Sequence, residues 1–214
     1  MTKNSVAVTK EEMIREFRVR EILAAACRVV AQHGFQGATV DRVAEEAHVA
    51  KGTIYLYFHD KEELLKAAVE QGIEHFTHQV RAEVAEVPTP VEKLRRLFEA
   101  SLELSETDRD FFKTLLLERN FLAAAPNRSE PALTIDRYLD HIHFIEEIIA
   151  SGVRTESLRP HNIEVSACVL YETIRGCFQQ RVLGLTNRPA SASADIFLDL
   201  FLHGVGNHTH KEQS

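Results

Sequence analysis

Two short predicted helices, separated by a tight break, constrain the fold of this chain more than any other feature. Apolar residues recur at helical spacing over 40–47, directly after Thr39, which favours the N-cap position of a helix. A break at 48–49 is followed by a second short helix over 50–56. A longer segment with the same periodicity, 19–30, precedes both. This order predicts a helix-turn-helix supported by a longer first helix.

The rest of the chain is also predicted to be helical, because strand-like alternation between hairpin turns is not found in it. Nine Gly and six Pro in 214 residues leave room for long helices. The first helix ends at Gly34. The further helices cover 61 to about 83 after Asp60 as N-cap, 91–106, 110–122, 135–151 closed by Gly152, 160–184 starting at Pro160, and 192–205, with loops at 123–131 and 186–191.

Residues 18–66 contain TVDRVAEEA at 39–47, VAKGTIYLYF at 49–58 and KEELL at 61–65, with REILAAA at 20–26 and Gly34-Phe35 upstream. With these motifs the segment resembles the N-terminal head of the TetR/AcrR family of transcriptional regulators. Beyond residue 66 the chain matches the family only in its helical character and its length. The predicted fold is therefore all-α. It has a helix-turn-helix DNA-binding head at 14–60, a helical-bundle body at 61–206 for ligand binding and dimerisation, and flexible termini at 1–13 and 207–214.

The resemblance implies that the second short helix enters the major groove of DNA. Small or polar side chains are needed there, and Gly52 permits close backbone approach although it costs a helix about 1 kcal/mol relative to Ala. Each candidate also has a plainer interpretation: the tyrosines could pack internally, Thr39 could be only a cap, and Lys61 could start a solvated helix. The predicted DNA-binding residues are Thr39, Lys51, Gly52, Thr53, Tyr55, Tyr57 and Lys61.

Three positions depart from the family pattern. His48 stands where Gly is usual in the turn, so we expect a positive φ at a residue type that tolerates it. Ala50 replaces a common Ser, which removes a potential helix cap. Tyr57 stands where His is frequent. These departures leave the fold prediction intact and leave the operator sequence open.

Charge is distributed unevenly along the chain, which has a formal net charge of −7. Residues 1–66 contain ten Lys or Arg and ten Asp or Glu, so the whole excess of acid lies after residue 66. A neutral head and an acidic body predict modest sequence-independent affinity for DNA.

The resemblance further implies a homodimer that binds a palindromic operator, because two recognition helices about 34–36 Å apart read two half-sites. The expected interface lies on the last two long helices. Its residues could instead pack only within one protomer. The predicted interface residues are Gly176, Phe197, Leu198, Phe201 and Leu202.

A small, largely apolar ligand is expected to bind the body and release the DNA. The expected lining residues could equally be ordinary core, and Arg175 could bind an acidic ligand or a carboxylate of the protein. The predicted lining residues are Phe98, Leu102, Phe112, Leu116, Phe144, Tyr171, Arg175 and Phe178.

Other function classes receive little support from the sequence. Phosphate-binding loops, nucleophile elbows and metal-binding motifs of established spacing are not recognisable in it, so we expect no enzyme, no cofactor and no metal site despite 11 histidines. The three cysteines are expected to be reduced and mostly buried, with a redox sensor as the alternative. The lack of a signal peptide or an apolar run of about 18 residues predicts a cytoplasmic protein. The remaining alternative is a helical interaction or ligand-binding protein whose helix-turn-helix does not bind DNA.

Overall fold

The computed structural model describes residues 9–109, 111–113 and 133–205, with side chains from residue 138 onward in the last range. The prediction of an all-α fold is confirmed: strands are absent from these residues. The helices are α1 (Lys10–Gly37), α2 (Val40–Glu46), α3 (Lys51–Tyr55), α4 (Lys61–Ala85), α5 (Pro90–Thr107), α6 (Leu133–Arg154), α7 (Ile163–Val182) and α8 (Ala190–His203).

The described residues form two compact units. The first contains the chain up to His75 together with 111–113, and the second contains 76–109 and the described residues from 133 onward. The division therefore falls within α4. The predicted functional boundary between 60 and 61 stays a prediction.

Helix α1 begins earlier than expected, inside the segment 1–13 that was predicted to be flexible. Thr9 accepts a hydrogen bond from the Glu12 backbone N–H, and the Glu12 carboxylate accepts one from the Thr9 backbone N–H at 2.7 Å. This capping box satisfies two N–H groups that a helix start otherwise leaves unpaired. At the start of α1 the sequence prediction relied on apolar periodicity alone and so missed the polar cap.

The first unit is built on the buried faces of α1, α2 and α4. Helical geometry breaks at Gly34, where φ is 67°, and the next side chain, Phe35, is completely buried. A residue with a Cβ is disfavoured in this left-handed conformation. The other fully or almost fully buried apolar residues of this unit include Ile22, Ala25, Ala26, Val30, Val43, Ile54, Leu64, Leu65 and Ala68.

The second unit is organised around α5, which packs against α6, α7 and α8. Thr89 caps α5, and Pro90 occupies its first turn, where the missing N–H costs nothing. The Phe98 ring stacks on Phe197 of α8 with centroids 5.0 Å apart. The core cluster also includes Leu94, Leu97, Leu102, Ile142, Ile145, Ile149, Leu158, Leu170, Ala194 and Leu198.

Two residues that were predicted to mark helix boundaries in this unit do not mark them. Gly152 does not end α6, which continues to Arg154; a Cβ at Gly152 would lie 2.6 Å from Leu158 Cδ1, so this glycine makes room for a neighbour. Pro160 does not start α7, because Asn162 is its N-cap and accepts from the Val165 backbone N–H at 2.9 Å. The predicted loop 123–131 and tail 207–214 lie outside the described residues, as does most of the predicted helix 110–122.

Candidate DNA-binding interface

The turn between α2 and α3 is held by backbone hydrogen bonds and by an unusual conformation at His48. Its φ is 54°, which confirms the expectation of a positive φ at this position. The backbone N–H of His48 donates to Glu45 O, and that of Val49 donates to Ala44 O at 2.9 Å. These bonds close α2 within two residues, so the chain enters α3 directly.

Helix α3 is anchored by its apolar side and exposes the other. Ile54 and Phe58, in and just after the helix, are 1 % and 7 % exposed. On the other side Lys51, Gly52 and Tyr55 are exposed. The short helix has no side-chain cap, because Ala50 occupies its N-cap position. Its stability therefore depends on the burial of these apolar side chains.

Gly52 lies on open surface. A Cβ added there would meet nothing within 4 Å apart from its own helix and chain neighbours. Packing within the protein therefore does not require glycine at this position. Close approach of another molecule, as the sequence predicts for DNA, would explain why this position has no side chain.

The flanking positions of the predicted interface are already engaged within the protein. Thr39 is the N-cap of α2, as predicted, and accepts from the Arg42 backbone N–H at 3.3 Å. The Arg15 guanidinium lies 6.0 Å from the centre of the Tyr57 ring, which is only partly exposed. Lys61 Nζ donates to the backbone carbonyl of Gln36 at 3.4 Å. Thr39 remains exposed, so capping does not prevent its hydroxyl from meeting a phosphate.

Lys51 makes an ion pair that its position in the sequence does not reveal. Its Nζ lies 2.9 Å from the Asp41 carboxylate of α2. The hydrogen bond from Lys51 to Asp41 raises the pKa of the lysine above its usual value. The only sequence signal was the pair of opposite charges on the two short helices, which does not specify a contact.

The residues predicted to line a ligand site occupy different environments. Phe112 lies in the first unit and the other described ones in the second. Phe98 and Leu102 are completely buried in the core, whereas Phe144, Tyr171 and Phe178 are partly buried against it. Leu116 lies outside the described residues. The ligand site therefore stays a prediction.

Arg175 pairs with Glu172 one turn earlier on α7. This matches the interpretation in which its partner is a carboxylate of the protein.

Tyr138 and His141 lie beside Tyr171 in the second unit, and neither was predicted to line the ligand site. Tyr138 packs edge-on against Tyr171 with ring centroids 5.1 Å apart. His141 Nε2 lies 3.3 Å from the hydroxyl of the buried Thr77. Arg81 is placed over the Phe144 ring at 4.8 Å. Helical periodicity identifies apolar faces of helices, so it does not predict contacts of polar side chains such as His141 and Arg81.

The predicted dimer residues divide into buried and exposed ones. Phe197 and Leu198 are 5 % and 4 % exposed and belong to the core, so internal packing accounts for them. Phe201 and Leu202 are partly buried against the same core. Gly176 is exposed, with open space where a Cβ would be.

Several apolar side chains on α7 and α8 that the sequence did not single out are at least 45 % exposed: Val165, Val169, Ile196 and Leu200.

In the described part of the chain, no three His, Cys, Asp or Glu side chains converge in a way that could hold a metal ion. No described helix is long and apolar enough to cross a membrane. Cys27, Cys168 and Cys177 are not in disulfides and are partly buried. Burial raises the pKa of Cys177, which lowers the fraction of reactive thiolate.

Comparison with known proteins matches the head to a family of bacterial regulators and most of the chain to one regulator. Residues 22–68 match the family described as bacterial regulatory proteins, tetR family. The chain is 23 % identical over 189 residues to the fatty acid metabolism regulator protein of Bacillus subtilis (strain 168), covering 87 % of this chain and 95 % of that protein.

Two solved structures share the fold. The transcriptional regulator FadR from Bacillus subtilis, in complex with stearoyl-CoA, has a TM-score of 0.70 and 21 % identity, covering 87 % of this chain and 99 % of that one. AibR, in complex with isovaleryl coenzyme A and operator DNA, has a TM-score of 0.64 and 22 % identity, covering 86 % and 98 %. Both are described as regulators, or as bound to operator DNA.

Proposed function

This chain belongs to the tetR family of bacterial regulatory proteins, and on that basis we propose that it is a repressor that binds a palindromic operator as a homodimer and is released by a largely apolar ligand. It is a helix-turn-helix transcriptional regulator. Repression, the individual DNA contacts and the nature of the ligand are the proposed parts. We propose no catalytic activity. Because its target is chromosomal DNA, we assign it to the bacterial cytoplasm.

One observation carries the DNA-binding role: α3 buries Ile54 and presents Lys51, Gly52 and Tyr55 to solvent. A surface helix with an open glycine and exposed polar side chains is suited to a groove about 12 Å wide. Thr53 can donate to a base edge or place its methyl group against thymine. The preceding helix start at Thr39 can hold a phosphate, since helix N-termini favour anions.

The test begins with an operator selected from random duplex DNA by the full-length protein. The double variant Thr53→Ala/Tyr55→Ala should lose the gel shift of that operator at moderate salt while circular dichroism shows unchanged helicity. The matched control, Thr107→Ala/Leu185→Ala, makes the same substitution of a threonine and a large side chain at exposed positions of the second unit. An undiminished shift with the double variant would refute the assignment of α3 as recognition helix.

We propose that dimerisation uses the exposed apolar side chains of α7 and α8. Val165, Val169 and Gly176 follow one another at i, i+4 and i+11, so they share one face of α7. Ile196 and Leu200 are exposed one turn apart on α8. Exposed apolar side chains grouped in this way are typical of protein interfaces. Gly176 would allow the partner backbone to approach closely.

We propose a fatty acyl-coenzyme A as the class of effector. Two proteins with this fold are described in complex with acyl-coenzyme A molecules, one long and one short. The partly buried Phe144, Tyr171 and Phe178 offer apolar surface of the kind that binds an acyl chain. Binding must favour one of two arrangements of the protein in order to release DNA.

Thermal unfolding tests this effector class. Stearoyl-CoA and isovaleryl-CoA are added separately to the DNA-free protein, with free coenzyme A and stearate as controls. We expect at least one acyl-CoA to raise the melting temperature and to release the operator at the same concentrations, because a ligand that binds only the native state stabilises it. Release by neither thioester would contradict the acyl-CoA proposal and leave the DNA-binding assignment standing.

A further inference from the structure

The cations around the helix-turn-helix are already engaged within the first unit. Arg28 pairs with Glu46 at 2.6 Å, and Arg42 donates to Gly37 O at 3.2 Å. Lys61 donates to Gln36 O, as described above. Lys51 differs from these three because it lies on the recognition helix itself, and its partner is the carboxylate of Asp41 on the neighbouring helix.

The Lys51 ammonium lies 2.9 Å from both carboxylate oxygens of Asp41. Both side chains are open to solvent, with 49 % and 70 % of their surfaces exposed. An exposed pair of this kind is easily exchanged for another anion, because it gains little from Coulomb attraction in water. A DNA phosphate would offer Lys51 the same chemistry that the carboxylate does.

The position of Asp41 on α2 also affects how a DNA phosphate could bind. The residue lies in the first turn of α2, two residues after the Thr39 cap, where a helix end favours an anion. Its carboxylate therefore stands beside the helix start at which a phosphate is proposed to bind, and it also neutralises the cation on α3. Both effects oppose a phosphate whatever the DNA sequence, because phosphate contacts carry no sequence information.

We propose that Asp41 is an intramolecular competitor of DNA phosphate for Lys51 and limits the sequence-independent affinity of the head. The proposal rests on the DNA-binding function proposed above and assigns a role to a residue that does not itself contact DNA. It also gives a physical basis to the neutral charge of the head. A regulator faces a large excess of non-operator sites, so weak sequence-independent binding leaves more of it free to find the operator.

The test compares Asp41→Asn with Glu45→Gln. Both variants remove one negative charge from an exposed position of α2, but only the first frees Lys51. Fluorescence anisotropy is measured with a labelled random duplex over a series of KCl concentrations, using the full-length protein. Asp41→Glu keeps the charge and should behave like the unchanged protein.

Asp41→Asn should bind the random duplex severalfold more tightly than Glu45→Gln does at low salt. Its plot of log K against log[KCl] should be steeper by about 0.9 per protomer, the slope of one additional phosphate contact. In a Lys51→Met background, Asp41→Asn should lose this excess over Glu45→Gln. Equal behaviour of the two variants, or an excess that persists without Lys51, would overturn the proposal.

The selected operator separates failure of this proposal from failure of the DNA-binding function. If the unchanged protein shifts its operator while Asp41→Asn and Glu45→Gln behave alike, only the competitor role fails. If the unchanged protein binds no selected duplex, the DNA-binding function fails. Circular dichroism of each variant confirms that the compared proteins are equally folded.

Discussion

The Phe111 ring fills the space beside Gly72, so that a Cβ at this glycine would lie only 2.5 Å from the ring atom Cζ. Phe111 is 7 % exposed, and its ring cannot simply swing into solvent. Replacing Gly72 by Ala gains up to about 1 kcal/mol of helix propensity, but the displaced ring costs about 1–3 kcal/mol. We predict that Gly72→Ala lowers the free energy of unfolding in urea. A more stable variant would show that the ring relocates freely.

Gly52→Ala is the counterpart of that change, because the space around Gly52 is open. The substitution should raise the free energy of unfolding by up to about 1 kcal/mol through helix propensity alone. We predict that the same variant binds its operator at least tenfold more weakly, since the new methyl group lies on the surface proposed to approach DNA. Urea unfolding and operator titration are measured on one preparation. Unchanged operator affinity would remove Gly52 from the interface.

Arg181 provides a test of stability in the second unit. Its side chain is only 7 % exposed, and it donates to the Glu106 carboxylate and to the backbone carbonyl of Arg188. Glu106→Ala leaves a buried guanidinium short of a partner, so we predict a loss of about 1.5–3 kcal/mol in the free energy of unfolding.

The control for this prediction is Glu172→Ala, which removes the partner of the more exposed Arg175 on the same helix. It should cost less than about 0.5 kcal/mol. If urea unfolding shows equal losses of stability for the two variants, the burial of Arg181 does not strengthen its ion pair with Glu106.

The sequence predicted the architecture because helical periodicity and local caps are short-range signals. Thr39 and Asp60 were correctly identified as caps; the Asp60 carboxylate accepts from the Glu63 backbone N–H at 2.8 Å. The positive φ of His48 could be predicted because the resemblance placed a glycine turn there. Each of these depends on residues within a few positions in the chain.

Features that depend on tertiary contacts were not predictable in the same way. Gly152 looked like a helix end, but it lies within the last turn of α6, which continues to Arg154, and it leaves room for Leu158. Phe197 looked like an interface residue, but it stacks on Phe98, which is far away in the sequence. The ion pair between Lys51 and Asp41 likewise depends on how two helices are placed. Sequence patterns identify apolar faces without showing what covers them.

The dimer proposal makes a prediction that separates exposed from buried residues on α8. Leu200 is 45 % exposed, whereas Phe197 is buried in the core. Leu200→Asp should leave the protomer folded but place a charge in the interface, where an unpaired buried charge is strongly unfavourable. We therefore predict that this variant is monomeric by light scattering at micromolar concentration, with helicity unchanged.

Loss of the dimer should also abolish operator binding, because one head reads a single half-site. Phe197→Ala provides the contrast: it should lower the free energy of unfolding by about 3–5 kcal/mol through loss of core packing, and any protein that remains folded should still dimerise. Leu185→Asp, on another 73 % exposed leucine of this unit, controls for the added charge. If Leu200→Asp stays dimeric while the unchanged protein is a dimer, the interface lies elsewhere than on this face of α8.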